Sequence, residues 1–202
     1  LHQFAKSIGA SAVLSVNPYY NKPTQDGLYA HFAALSEKVD IPIVLYNIPG
    51  RTGVTMQPET VAKLYANANI VAIKEATGDV TMATRIMQAC DITVVSGDDP
   101  LALPTMAIGG SGVISVLSNV MPGTVAEMCK LAAAGDYTKA AAIHHKVYPL
   151  TRALFLDGNP VGVKKAMHLL GRDSGEVRLP LVEASDATVA DIQSAMQSLD
   201  LL

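Results

Sequence analysis

The chain has 202 residues, of which 50% are apolar and 16% are charged, and its formal net charge at pH 7 is -3. This composition is typical of a globular chain with one sizeable core, and it argues against disorder. The weakly acidic balance argues against a nucleic-acid surface, and no apolar run is long enough to span a membrane. Its two cysteines lie far apart without metal-ligand spacing, which favours two reduced, buried thiols in a cytoplasmic protein over the alternative of a disulfide.

Short apolar runs divide the first part of the chain, and each ends at a polar residue, a glycine or a proline. We predict strands at these runs, which are residues 12–16, 43–46, 70–74, 93–96 and 112–116. Helices are predicted between them, at residues 28–39, 58–65 and 101–107 and from about Asp79 onward. Runs that are apolar throughout indicate parallel strands covered on both faces. Their spacing of roughly 20–30 residues indicates right-handed βα units.

The pattern changes after Pro122, where no further strand is predicted. Four helices are expected there, at residues 124–134, 137–157, 161–170 and 187–199. We therefore predict two domains, a partial βα domain over residues 1–122 and a helical domain over residues 123–202. The pattern alone leaves open whether the sheet is doubly wound or part of a (β/α)8 barrel.

Lys74 is the most unusual residue at a predicted strand end. In either fold the active site lies at the carboxyl ends of the strands. Lys74 ends the apolar run 70–73, so its stem should lie in apolar surroundings, which lower the pKa of the amine. A neutral amine can attack a ketone and form an imine. The alternative is a lysine that extends to solvent or pairs with Glu75.

Three more reactive side chains follow the ends of the two preceding strands: Tyr20, Tyr46 and Arg51. The phenol of Tyr46 could move protons during imine formation. Arg51 lies in a loop bounded by proline and glycine, where its guanidinium could bind a substrate carboxylate. Each residue alone is as readily a packed aromatic or a surface cation. Their convergence on the strand end of Lys74 favours one shared active site.

The sequence indicates no metal ion and no organic cofactor. The pair His144 and His145 lies within a predicted helix and has no acid at ligand spacing. Asp98 or Asp99 is better explained as the cap of the helix that begins near residue 101. The glycine-rich segment 109–112 precedes a strand, whereas a phosphate-binding loop follows one.

Six blocks of the sequence resemble the dihydrodipicolinate synthase family, which belongs to the N-acetylneuraminate lyase or class I aldolase superfamily. The resemblance covers essentially the whole chain. The blocks are NPYYNKPTQDGL (17–28), LYNIPGRTG (45–53), IKEATG (73–78), SGDD (96–99), GVISV (112–116) and NPVGVKK (159–165). The resemblance implies a (β/α)8 TIM barrel, incomplete in this chain with about five βα units, followed by a C-terminal helical domain.

The resemblance also implies a reaction. The family condenses pyruvate with L-aspartate-4-semialdehyde through a lysine Schiff base. The product is 4-hydroxy-tetrahydrodipicolinate, on the route to diaminopimelate and lysine. The resemblance further implies that no cofactor is involved and that the chain forms a homodimer or homotetramer.

The matched positions imply specific roles. Lys74 matches the lysine that forms the imine, and Tyr46 matches the proton-relay tyrosine above it. Tyr20 matches the relay tyrosine that crosses a dimer interface. Arg51 matches the arginine that holds the carboxylate of the semialdehyde. Three further matches line the pocket or the lysine-inhibitor site: Ile114, whose backbone contacts pyruvate, Gly97, beside the pocket, and Tyr19, a remnant of the inhibitor site.

The sequence departs from the family at its start. It opens in what reads as a helix interior, and the family's three preceding βα units have no counterpart. We therefore expect a fragment of a longer enzyme. The alternatives are a truncated, catalytically inactive barrel and a chain whose open sheet edges are covered by association. Pyruvate-dependent sugar-acid aldolases share the lysine and the tyrosine, but Arg51 favours the dihydrodipicolinate branch.

Overall fold

The computed structural model describes residues 1–202. Contacts between residues divide the chain into two compact units, Leu1–Ile114 and Ser115–Leu202. This boundary falls earlier than residue 122, where the sequence places it. The reason is that the short 3-10 turn Leu117–Asn119 packs against helices of the second unit.

The first unit contains a four-stranded parallel sheet whose strand order follows the sequence. The strands are Val13–Val16 (β1), Ile43–Asn47 (β2), Ile70–Glu75 (β3) and Thr93–Ser96 (β4). In the row just before the last pairs at the carboxyl ends, Tyr46 pairs with Val16 on one side and with Lys74 on the other, and Lys74 pairs with Val95. Partners in register project from the same face of a sheet. The sheet therefore brings Tyr46 and Lys74 side by side.

Six α-helices connect or flank these strands. They are His2–Ser7 (α1), Gln25–Lys38 (α2), Pro49–Thr52 (α3), Pro58–Tyr65 (α4), Val80–Ala89 (α5) and Ala102–Ala107 (α6). Side-chain caps set two of the starts, because Thr24 accepts a hydrogen bond from the Gly27 N–H and Asp79 accepts one from the Thr81 N–H. The sequence does not predict α3, since its Pro-Gly start is typical of a turn.

The hydrophobic core covers one face of the sheet. It joins Leu45 of β2 and Ile73 of β3 to Phe32 of α2 and Ile86 of α5, all completely buried. On β1 and β2, buried or partly buried residues alternate with more exposed ones, and Val16 remains 39% exposed. The prediction that these two strands are covered on both faces is wrong for this chain.

The predicted fifth strand at residues 112–116 is also wrong as a continuous strand. The segment forms one parallel bridge, between Ser96 and Val113, and the Ile114 N–H donates to the Ser96 carbonyl at 2.9 Å. Gly112 has a φ of 152°, which lies outside the range of regular strands. The chain therefore touches the edge of β4 briefly and does not extend along it.

The second unit is helical, as the sequence predicts. Its helices are Pro122–Ala133 (α7), Tyr137–Ala153 (α8), Val161–Leu169 (α9) and Asp186–Gln197 (α10). Asp136 and Ser185 cap α8 and α10, and their side chains accept hydrogen bonds from backbone N–H groups of the first turn. None of the helices is long and apolar enough to cross a membrane.

Candidate active site

Lys74 lies almost entirely inside the protein, with 9% of its surface exposed. Its Nζ lies 4.3 Å from the centre of the Tyr46 ring, and no carboxylate lies within salt-bridge distance of it. Burial lowers the pKa of this amine, while the negative charges of Asp98 and Asp99 oppose the effect. Lys74 therefore neither extends to solvent nor pairs with Glu75, and its amine is biased towards the neutral, nucleophilic form.

Tyr46 offers a protonated phenol beside that amine. Burial raises the pKa of the phenol, and the positive charge of Arg51 acts in the opposite direction. The phenol consequently keeps its proton at neutral pH and can donate it. The ring also presents its face to Lys74, a geometry that favours the ammonium form. The lowering of the Lys74 pKa by burial therefore has to outweigh the opposite effects of this ring and of the nearby carboxylates.

Arg51 lies on α3, and the loop that follows α3 is held by a buried amide. Asn47, at the end of β2, accepts a hydrogen bond from the Met56 N–H at 2.9 Å and donates one to the Met56 carbonyl at 3.2 Å. Asn17, at the end of β1, donates to the same Asn47 oxygen at 3.1 Å. These bonds fix the path of the chain from Tyr46 through Arg51 to α4.

Gly97, the first residue after β4, lies close to Lys74. A methyl group at Gly97 would lie 3.0 Å from Cε of Lys74, 2.6 Å from Cβ of Ala76 and 3.1 Å from the Glu75 carbonyl oxygen. The Gly97 N–H donates to that carbonyl at 2.6 Å, so the backbone has little freedom to move away. Only glycine leaves the Lys74 stem in its present position.

Gly97→Ala should lower the free energy of unfolding by about 2 kcal/mol, because the added methyl group overpacks a fixed backbone contact. Urea denaturation followed by circular dichroism measures this change. Gly123→Ala is the matched control, since Gly123 lies in α7 and a methyl group there meets no atom within 4 Å. Equal stability of the wild-type and Gly97→Ala proteins would refute the close approach.

The remaining residues singled out in the sequence lie at the surface of this unit. Tyr19 and Tyr20 are 68% and 93% exposed, and neither is brought against Lys74 within the chain. Tyr20 also has a φ of 67°, a conformation that costs a non-glycine residue about 1 kcal/mol. Arg51 is exposed, and the side chain of Ile114 is 39% exposed. The structure thus places Lys74, Tyr46 and Gly97 close together. Arg51 acts on this group through the effect of its charge on the pKa of Tyr46.

Two acids near Lys74 were not identified as site residues from the sequence. Asp98 is partly buried, and its charge acts on both Lys74 and Tyr46. Glu75 is 7% exposed and accepts hydrogen bonds from the N–H and the hydroxyl of Thr77, at 2.9 and 3.0 Å. Burial raises the pKa of Glu75 to about 7. The sequence feature that could have indicated Asp98 as a site residue is its position directly after Gly97, which has to approach Lys74.

The profile of the Dihydrodipicolinate synthetase family matches residues 1–199. The 4-hydroxy-tetrahydrodipicolinate synthase of Methanocaldococcus jannaschii is 46% identical over 204 residues, and that of Geobacter metallireducens is 49% identical over 204 residues. Each alignment covers 100% of this chain and 70% of the relative.

Solved structures of the same kind superimpose closely on this chain. The dihydrodipicolinate synthase of Acinetobacter baumannii, described as chloride inhibited and complexed with pyruvate, has a TM-score of 0.97 at 40% identity. That superposition covers 100% of this chain and 70% of the solved one. The fold is therefore that of a TIM barrel, represented here by part of the barrel and the C-terminal helices.

Proposed function

Because the chain belongs to the Dihydrodipicolinate synthetase family, we propose that it acts as a class I lyase whose Schiff base forms on Lys74. Its substrates are pyruvate and L-aspartate-4-semialdehyde, and its product is 4-hydroxy-tetrahydrodipicolinate. The observation that carries the proposal is the buried Lys74 amine, 4.3 Å from the ring centre of Tyr46 and unpaired with any carboxylate. The pyruvate present in the A. baumannii structure supports the choice of first substrate.

In the proposed reaction, Nζ of Lys74 attacks the keto carbon of pyruvate and forms a carbinolamine. The Tyr46 phenol donates a proton to the carbinolamine hydroxyl, which leaves as water, and an iminium cation remains. Loss of a proton from the methyl group gives an enamine, whose carbon attacks the aldehyde of the second substrate. Arg51 holds the carboxylate of that substrate. Gly97 and the backbone of Ile114 border the pyruvate subsite.

The exposed position of Tyr20 supports a role outside its own subunit. A tyrosine that is 93% exposed in a strained conformation is suited to insert into a neighbouring copy and complete its proton relay. The proposal therefore includes a homodimer or homotetramer, with Tyr19 beside Tyr20 as part of an inhibitor site. It also includes a cytoplasmic location, which the two cysteines, Cys90 and Cys129, support because they form no disulfide.

Reductive trapping tests the proposal directly. The 202-residue protein is incubated with pyruvate and borohydride, and intact-mass and peptide mass spectrometry locate the adduct. We expect one reduced pyruvate on Lys74 and none on the Lys74→Ala protein, because only an imine is reduced to a stable secondary amine. A folded wild-type protein that traps nothing would contradict the proposal and favour a catalytically inactive barrel fragment.

The second substrate separates the synthase from a related aldolase. Addition of L-aspartate-4-semialdehyde should consume the enamine and release product, and Arg51→Ala should weaken this step while adduct formation with pyruvate alone continues. Turnover of a sugar-acid aldehyde in place of the semialdehyde would instead identify a pyruvate-dependent sugar-acid aldolase.

A further inference from the structure

The turn that follows β4 holds Asp98 in a fixed backbone conformation. The hydroxyl of Ser96 donates to the Asp98 carbonyl at 2.8 Å and accepts from the Asp98 N–H at 3.2 Å. The same carbonyl also accepts from the Leu101 N–H at 3.0 Å. Both backbone polar groups of Asp98 are therefore bonded, and the direction of its side chain is set by the end of β4.

The carboxylate of Asp98 does not do what its position in the sequence predicts. Asp98 occupies the N-cap position of the 3-10 turn Asp99–Leu101, yet its side chain makes no capping hydrogen bond. An aspartate at this position ordinarily caps, and the cap contributes about 1 kcal/mol. A carboxylate that is partly buried and forgoes this bond requires another source of stabilisation.

The positive charge of Lys74 supplies part of this stabilisation. Gly97, which precedes Asp98, approaches the Lys74 side chain so closely that an added methyl group would lie 3.0 Å from Cε. Burial raises the pKa of Asp98 and lowers the pKa of Lys74, and the opposite charge of each group counters part of the shift of the other. The two groups nevertheless do not form a salt bridge, which leaves Nζ free to react.

We infer that the negative charge of Asp98, held in the turn beside Lys74, stabilises the iminium cation formed on Lys74. The inference rests on the proposed Schiff-base chemistry. Replacement of a neutral amine by an iminium creates a full positive charge in partly dehydrated surroundings, where a fixed carboxylate acts strongly. Loss of a methyl proton then gives a neutral enamine. The carboxylate therefore stabilises the charged iminium relative to the neutral carbinolamine before it and the neutral enamine after it.

The other charged or titratable groups that act on this centre have to be kept constant in a test. Asp99 acts on the pKa values of both Lys74 and Asp98. The charge of Asp98 acts on Glu75 and on Tyr46, and the charge of Arg51 acts on Tyr46. Substitution of Asp98 alone leaves all of them in place. A change in pH dependence that follows this substitution is therefore attributable to its carboxylate.

The test measures the rate of reductive trapping of pyruvate on Lys74 across the pH range. Asp98→Asn should lower the plateau rate about tenfold, and should move the midpoint of the profile to lower pH. The midpoint falls because the variant removes a charge that raises the pKa of Lys74. Asp98→Ser, a second neutral variant with a short polar side chain, should behave in the same way. Asp98→Glu, which retains the charge, should retain the wild-type midpoint.

Asp79→Asn is the matched control, because Asp79 is an exposed N-cap acid whose side chain does cap a helix. Asparagine caps almost equally well, so plateau and midpoint should both stay at the wild-type values. Asp98→Asn and Asp98→Ser with a lower plateau but an unchanged midpoint would indicate a purely structural role and overturn the inference. A wild-type plateau and midpoint in these variants would also overturn it, while the proposed function would stand. Absence of trapping in the wild-type protein would overturn both.

Discussion

Tyr46→Phe is expected to slow the formation of the reduced pyruvate adduct on Lys74 by about 100-fold or more. The substitution removes the only group of Tyr46 that can donate a proton, and general acid catalysis by such a group contributes about 100-fold to 10,000-fold. The ring itself remains, and with it the contact 4.3 Å from Nζ of Lys74. The pKa of Lys74 should therefore change little, and the loss should lie in the departure of water from the carbinolamine.

Quenched-flow trapping with borohydride and mass spectrometry measures this rate at saturating pyruvate. Tyr65→Phe serves as the matched control, because Tyr65 ends α4 and is partly exposed. It should leave the trapping rate unchanged. An unaltered rate in Tyr46→Phe would show that water or another side chain donates the proton, and would remove Tyr46 from the mechanism.

The strand ends could be predicted from the sequence because they depend on local patterns. Apolar runs stopped by Asn, Pro or Gly placed the carboxyl ends of β2 and β4 within a residue of those observed. Parallel pairing then aligned Tyr46 with Lys74 without further information. The predicted strand at residues 112–116 failed for a tertiary reason, since only Val113 forms a bridge with β4.

The electrostatics of the site could not be predicted in the same way. An Asp-Asp-Pro sequence before a helix is typical of a cap, and nothing local shows that the side chain of Asp98 forgoes the capping bond. Glu75 reads as a strand-end acid that could pair with Lys74. Its burial and its bonds to Thr77 depend on the packing of the loop between β3 and α5. Both properties arise from burial, which a single sequence does not specify.

Glu75 should make the stability of the protein depend on pH by about 3 kcal/mol. Burial raises its pKa in the folded protein from an ordinary value of 4.5 to about 7. Below pH 4.5 the folded and unfolded states both carry the proton, and the neutral carboxyl is compatible with burial. Between pH 4.5 and about 7 the unfolded state loses its proton first, so the free energy of unfolding falls as the pH rises. Above that range the dependence should level off.

Glu75→Gln removes this dependence, because the amide stays neutral at every pH. Its oxygen can accept from the Thr77 N–H and its NH2 group can donate to the Thr77 hydroxyl, so the loop geometry is retained. Urea denaturation at pH 5 and pH 8 should show similar stability for the two proteins at pH 5, and a more stable variant at pH 8 by about 3 kcal/mol. Glu37→Gln, on the exposed side of α2, should follow the wild-type protein at both values. Parallel behaviour of Glu75→Gln and wild type would mean that Glu75 ionises as a solvated carboxylate. The like charge that an ionised Glu75 adds near Asp98 would then be present throughout the working pH range of the enzyme.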